Sequence, residues 1–238
     1  MDIKSLDKKE RQVLWKGLIR LVLILPVMLG TLLLSAGRWN WWEAWAYTIT
    51  GLVVLLGSRA FMIRKHPDLA LERAQAHEKE DVKEWDRFLM PFTALVGPFL
   101  SWIVAGLDQR FDWSPDLPNW IQIFALIVIQ IGSLIGSWAM IANRYFSSQV
   151  RIQADRGQQV VQDGPYSFVR HPGYAGGLLS WLAAPIFFSS YWLLIPMALV
   201  MGASVVRTTL EDQTLQDELP GYQAYAEKVK FRLIPGVW

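Results

Sequence analysis

The residues with the most to offer chemically lie between positions 143 and 177, in the stretch NRYFSSQVRIQADRGQQVVQDGPYSFVRHPGYAGG. Gly164-Pro165 marks a turn, and Arg170-His171-Pro172 then leads straight into an apolar helix. Proline suits the first helical position because its missing N–H is one of the unpaired donors there. That puts His171 beside the N-cap and Arg170 just outside the helix. Free N–H groups and a partial positive charge at a helix start attract anions. An adjacent Arg and His sharpen this into a carboxylate or phosphate pocket. Gly173, Gly176 and Gly177 fall within one turn and let a flat ligand or another backbone approach closely. The same features also suit a headgroup anchor and a packing contact, so the segment alone does not define a reaction.

A second constellation reads Arg207-Thr208-Thr209-Leu210-Glu211-Asp212. Arg207 and Glu211 stand four apart and share a helix face. Two adjacent carboxylates where a span leaves the membrane suit a cation such as a sulfonium or an ammonium; a solvated ion pair is the plainer use. With no Cys, three His and no carboxylates spaced as a metal shell, a catalytic metal is not expected. His66-Pro67 repeats the His-Pro dipeptide inside a charged loop without the glycines, and His77 has less to recommend it.

These groups need elements to position them, and the composition says what kind. Of 238 residues, 53% are hydrophobic and 18% charged, whereas a soluble domain carries about a quarter charged residues. Thirteen Trp are present, a residue that favours the bilayer interface. A net charge of +2 gives no indication of nucleic acid as a partner. A span needs roughly 20 mostly apolar residues. Gly17–Gly37, Trp41–Ile63, Phe88–Leu107 and Trp120–Ala142 meet that standard. Gly173–Val206 is too long for one span and too short for two, divides near Ser189-Ser190, and carries Pro185 and Pro196. It reads as a hairpin of two short helices. The expected fold is therefore all-α, a polytopic integral membrane helical bundle of about six hydrophobic passes.

Lys and Arg concentrate before the first span, in the loop 64–87, after the fourth span and in the tail, leaving only Arg38 and Arg110 opposite. This bias places both termini in the cytoplasm, at the inner membrane in a bacterium. The charged loop reads as a solvated helix on the membrane face, its apolar residues too sparse for a core. Residues 215–238 read as short amphipathic helices broken at Pro220-Gly221. Residues 1–118 then form a set of N-terminal membrane helices, and residues 119–238 a core that carries the chemistry.

Gly164-Pro165-Tyr166, Arg170-His171-Pro172-Gly173-Tyr174 with Gly176, Arg207-Thr208 with Glu211-Asp212, and the closing Gly221-Tyr222, Tyr225 and Arg232-Leu233-Ile234-Pro235-Gly236 together resemble the isoprenylcysteine carboxyl methyltransferase family. That family lies within a wider group that includes membrane phospholipid methyltransferases. The resemblance covers roughly residues 120–238. It implies an integral membrane enzyme that binds S-adenosyl-L-methionine on the cytosolic side. By that likeness Tyr166, Arg170, His171 and Tyr174 line the cofactor pocket, joined by Gln158, Gly164, Pro172 and Gly176. Arg207, Glu211 and Asp212 close the site near the reacting groups. Gln158 stands where family members often carry His, and Asp212 where they commonly carry Glu.

On this reading the cofactor's carboxylate meets the Arg170–His171 helix start, its cationic groups meet Glu211 and Asp212, and Arg207 orients an anionic acceptor. The expected acceptor is a lipophilic carboxylate of the isoprenylcysteine type drawn from the lipid bilayer. Lipid amines and small thiols are alternative acceptors. An NADPH-dependent sterol-reductase-like enzyme and a non-catalytic membrane scaffold are the rival classes.

Overall fold

A computed structural model of the protein describes residues 7–75 and 81–238, and the regular structure among these is all helical, with no strand. His77 and the loop charges at 78–80 lie outside the described residues. The chain runs through α1 (Lys8–Ala36), α2 (Trp42–Lys65), α3 (Pro67–Ala74), α4 (Asp86–Pro91), α5 (Gly97–Phe111), α6 (Asn119–Ala142), α7 (Pro172–Phe187), α8 (Leu194–Glu218) and α9 (Tyr222–Lys228). A π-helical turn, Phe92–Val96, joins α4 to α5 and makes Asp86–Phe111 one continuous span. Pro98 follows this turn and cannot donate to the carbonyl of Ala94, which loosens the regular ladder where the turn forms.

Among the described residues five helices are long and apolar enough to cross a membrane: the bulk of α1, α2, the α4–α5 span, α6 and α8. The polytopic helical bundle expected from composition is thus present, with one correction to its C-terminal part. The apolar stretch does turn near Ser189-Ser190, where Ser189 adopts a left-handed φ of 51°. It does not form two short helices. α7 has 16 residues, but α8 runs for 25, because its helix continues past the apolar run into Thr208, Glu211 and Glu218.

α6 and α7 set the closest helix contact. A Cβ on Gly176 would collide with the carbonyl oxygen of Gly132, and one on Gly132 with that of Gly176, so the backbones meet without intervening side chains. Ser180 fixes the register by donating to the Ile129 carbonyl at 2.9 Å. At the opposite end of the bundle from α3 and α9, Gln122 bridges Glu43 at 3.0 Å and Ser189 at 2.8 Å, tying α2, α6 and the α7–α8 turn together.

The charged segment also departs from expectation. α3 is a packed element and not a solvated one: Leu69 is fully buried and Ala70 nearly so, against Met62 of α2 and Met140 of α6. Its Glu72 accepts from Arg151 at 2.7 Å, and Asp81 and Asp155 accept from the same guanidinium. This short helix is held by that apolar contact and also by ion pairs to a loop more than seventy positions away, the latter a feature invisible to local periodicity.

Candidate active site

The long connection between α6 and α7 folds back under the ends of the helices and encloses a cavity of about 340 Å³. Its walls come from that connection, from the start of α7, from Arg207, Glu211 and Leu215 of α8, and from Tyr222 and Tyr225 of α9. Met90 of α4 and Ala94 of the π turn close it on the side facing the spans. Two short 3-10 turns, Ala154–Arg156 and Gly164–Ser167, shape the connection. Pro172 opens α7 at its first turn, as the sequence indicates, with His171 at the N-cap.

The charged groups around the cavity are built in pairs. Asp212 is fully buried and accepts from Arg170 twice (Nε 2.7 Å, Nη2 2.8 Å), from Arg232 at 2.8 Å, from His171 Nε2 at 3.1 Å, from the Tyr222 hydroxyl at 3.0 Å and from Gln216 at 2.9 Å. The carboxylate acceptor puts the His171 proton on Nε2. Arg170 spends its Nη1 on the carbonyls of Val229 and Lys230. Burial opposes the charged form of Arg170, but the bonds to Asp212 outweigh it and raise the guanidinium above its ordinary value. The backbone joins in, with Arg170 N bonded to the Phe231 carbonyl and His171 N to that of Arg232, both at 2.9 Å.

Arg207 has a different partner. It pairs with Asp86 at the first position of α4 and donates to the Ser148 carbonyl at 2.8 Å. Asp86 also accepts from the Val150 backbone N–H at 2.7 Å, so one carboxylate organises α4, α8 and the connecting loop. The Arg207 guanidinium lies over the Tyr174 ring, 5.5 Å from its centre. The Tyr174 hydroxyl in turn donates to Glu211 at 2.6 Å. Arg207, Tyr174 and Glu211 therefore form one stacked unit on the cavity wall.

Of the residues expected in the site, Gln158, Tyr166, Arg170, His171, Pro172, Tyr174, Arg207 and Glu211 all face this cavity. Three do not. Asp212 points away into the ion network, because adjacent residues on a helix diverge by about 100°. It does not join Glu211 in facing a cation. Gly164 lies against Ala142 and Trp138, where its left-handed φ of 62° serves the turn. Gly176 belongs to the α6–α7 crossing. His66 is also elsewhere, its Nε2 donating to the Ile141 carbonyl at 3.1 Å.

Reading along the sequence missed several contributors. Asp86 holds Arg207, Arg232 adds a second guanidinium to the Asp212 carboxylate that holds Arg170, and Gln149 brings to the wall a buried side-chain oxygen with no partner among the described residues. Tyr145 and Phe146 add aromatic surface beside Tyr166. A carboxylate at the first position of a span was the available signal for Asp86, since an ionisable group at a membrane boundary needs a partner. The upstream arginines are neutralised: Arg144 and Arg156 both bind Asp68, and Arg151 binds its three carboxylates.

A polytopic helical membrane protein with a polar, tyrosine-rich cavity beneath the spans is the class that this geometry defines. Residues 120–219 match the sequence model of the phospholipid methyltransferase family. Protein-S-isoprenylcysteine O-methyltransferases B and A of Arabidopsis thaliana are similar at 34% and 36% identity over 61 residues, 25% of this chain. The similar stretch spans only 31% of each plant relative. Uncharacterized protein YpbQ of Bacillus subtilis (strain 168) is 28% identical over 157 residues, 63% of this chain and 87% of its own length. The likeness read from the Arg-His-Pro and Glu-Asp motifs thus holds for the C-terminal part of the chain.

Proposed function

We propose that the chain is an S-adenosyl-L-methionine-dependent methyltransferase acting on a lipophilic acceptor at the membrane boundary. The observation that carries this reading is the shared cavity of Arg170, His171, Tyr174 and Glu211 within the stretch that matches the methyltransferase family. The cofactor supplies an activated methyl group on a sulfonium when bound. The donor set fits such a molecule. Glu211 accepts one hydrogen bond from Tyr174 and has its second oxygen uncommitted among the described residues, which suits a cationic amine or sulfonium. The unpartnered oxygen of Gln149 accepts a further N–H. Tyr145, Phe146 and Tyr166 offer flat surface for an aromatic base. A dinucleotide's phosphates are poorly served, since Arg151, Arg170 and Arg207 already have carboxylates.

The chain's own work in such a reaction is alignment. Tyr174 is held from both sides, by Arg207 on its face and Glu211 at its hydroxyl, so the wall bearing Glu211 is rigid. Fixing two reactants in line is worth about 7–11 kcal/mol of barrier. Arg207 commits Nε and Nη2 to Asp86 and Ser148, leaving Nη1 for a ligand. The acceptor most in keeping with the plant relatives' names is a carboxylate of the isoprenylcysteine type.

Calorimetric titration of the detergent-solubilised chain with S-adenosylhomocysteine and, separately, with NADPH tests the proposal. Binding of the former, weakened about tenfold or more by Glu211→Gln, supports it. Binding of NADPH alone, or of neither, overturns it.

A further inference from the structure

A second chamber, about 230 Å³, lies beside the first between α1, α2 and α3. Arg73 and Ser148 belong to both, so the two cavities share a wall. Its apolar lining comes mainly from α1, where Leu18, Leu21 and Ile24 face it, and from Met62 and Ile63 of α2. Against that lining stand Arg20, Arg59 and Arg73, and no carboxylate lines it among the described residues.

Among the described residues neither inner arginine has an anionic partner. Arg59 directs Nη1 at the sulfurs of Met62 and Met140, and its Nε is buried with no acceptor. Arg73 donates to the Phe146 carbonyl at 3.1 Å and lies over the Phe146 ring, 5.5 Å from its centre. Burial first, and then the neighbouring Arg59 charge, lower the Arg73 guanidinium from its ordinary value to about 9, which leaves it cationic at neutral pH. The buried arginines each have a carboxylate, Arg151 with Glu72, Arg170 with Asp212 and Arg207 with Asp86, whereas Arg59 and Arg73 are half-buried. Two neighbouring guanidiniums beside an apolar lining, with no counter-charge among the described residues, are partly deprived of water and repel one another. Ionisable groups kept at such depth mark a ligand site.

We propose that this chamber binds the oxyanion head of a membrane-soluble amphiphile through Arg59 and Arg73, with the apolar tail lying against α1 and α2. The inference rests on the methyltransferase reading above, for which it supplies the acceptor class and its specificity-determining residues. Arg73 lies on the wall shared with the cofactor cavity, where a bound oxyanion would form its O–CH3 bond as the S–CH3 bond of the sulfonium breaks, leaving a neutral thioether and no proton to remove. The α1–α2 side brings the tail in from lipid.

The full chain in non-ionic detergent is titrated with dodecanoate, dodecyl phosphate and the uncharged methyl dodecanoate, without cofactor. At least one anion is expected to bind about tenfold or more tightly than the ester. A preference for carboxylate points to a lipophilic acid, and one for phosphate to a lipid headgroup. Arg59→Gln should reduce the anion to the ester's affinity and Arg59→Lys should restore part of the difference. Both should leave S-adenosylhomocysteine affinity unchanged, since Arg59 does not line that cavity. Equal binding of ester and both anions to the wild-type chain overturns the proposal without any variant having to fold, as does an anion preference that survives Arg59→Gln. Failure of wild-type S-adenosylhomocysteine binding instead overturns the methyltransferase reading.

Discussion

Arg207 of α8 and Asp86 of α4, 121 residues apart in sequence, meet in a two-pronged ion pair with Nε–Oδ1 at 2.6 Å and Nη2–Oδ2 at 3.0 Å. The pair fixes the one guanidinium that touches both Tyr174 and the cavity. Removing one partner of a buried pair strands the other charge and costs about 3–5 kcal/mol. Asp86→Asn should therefore lower the melting temperature in detergent markedly, and with it the proposed methyl transfer. A variant as stable as the parent would show that the pair adds nothing net.

Asp212 concentrates six hydrogen bonds on two oxygens, drawing together α7, α8 and the tail. Asp212→Asn keeps an acceptor but removes the charge that Arg170 and Arg232 share. The expected result is a loss of about 3–5 kcal/mol and faster proteolysis after Lys228 and Lys230. Unchanged cleavage at those lysines would refute the clamp.

Neighbouring glycines of α7 should respond in opposite ways. Gly176→Ala places a methyl against the Gly132 carbonyl and the Gly136 nitrogen, backbone atoms that cannot swing aside. A cost of about 1–3 kcal/mol or more is expected from overpacking. Gly177→Ala meets nothing within 4 Å and should stabilise by up to about 1 kcal/mol through helix propensity. Comparable melting temperatures for the two variants would contradict the close crossing.

His66 supplies a pH test away from the cavity. Burial, followed by the Lys65 charge, lowers its ring below the ordinary value of 6.5, against the opposing pull of the Ile141 carbonyl and Asp68. The neutral ring is thus the folded form, and its contribution is complete above the unfolded value. As pH falls through that value the unfolded chain takes up a proton that the folded chain resists, and stability declines. Asp68, held below the usual carboxylate range by Arg144 and Arg156 despite burial, stays ionised over this window. Melting temperature should fall between about pH 7.5 and about pH 5.5, and His66→Gln should flatten that slope. A slope identical in the variant would assign the effect to other groups.

The spans and the Arg170–Pro172 helix start were legible in the sequence because apolar runs and a proline at the first turn are local signals. Arg207 and Glu211 were legible as a pair because four residues make one helical turn, and both do reach Tyr174. Asp212 was recognisable as chemically active, yet its direction was not. Treating it as the twin of Glu211 ignored the rotation between successive helical residues. Asp86, Arg73 and Arg232 stayed hidden for a further reason: each acts through a partner brought close only by tertiary packing, from 20 to 121 positions away. α3 was misjudged because both its buried Leu69 and Ala70 and its ion pairs find their partners only in the tertiary fold.

The cavity also has a history during synthesis. Its charged floor closes when the segment 229–232 docks onto Arg170 and His171 through backbone and side-chain bonds. That segment follows α8 and α9 in the chain, so the floor is completed by residues made after every membrane-spanning helix. Truncation before Val229 should therefore remove the cavity floor while leaving the membrane-spanning helices intact.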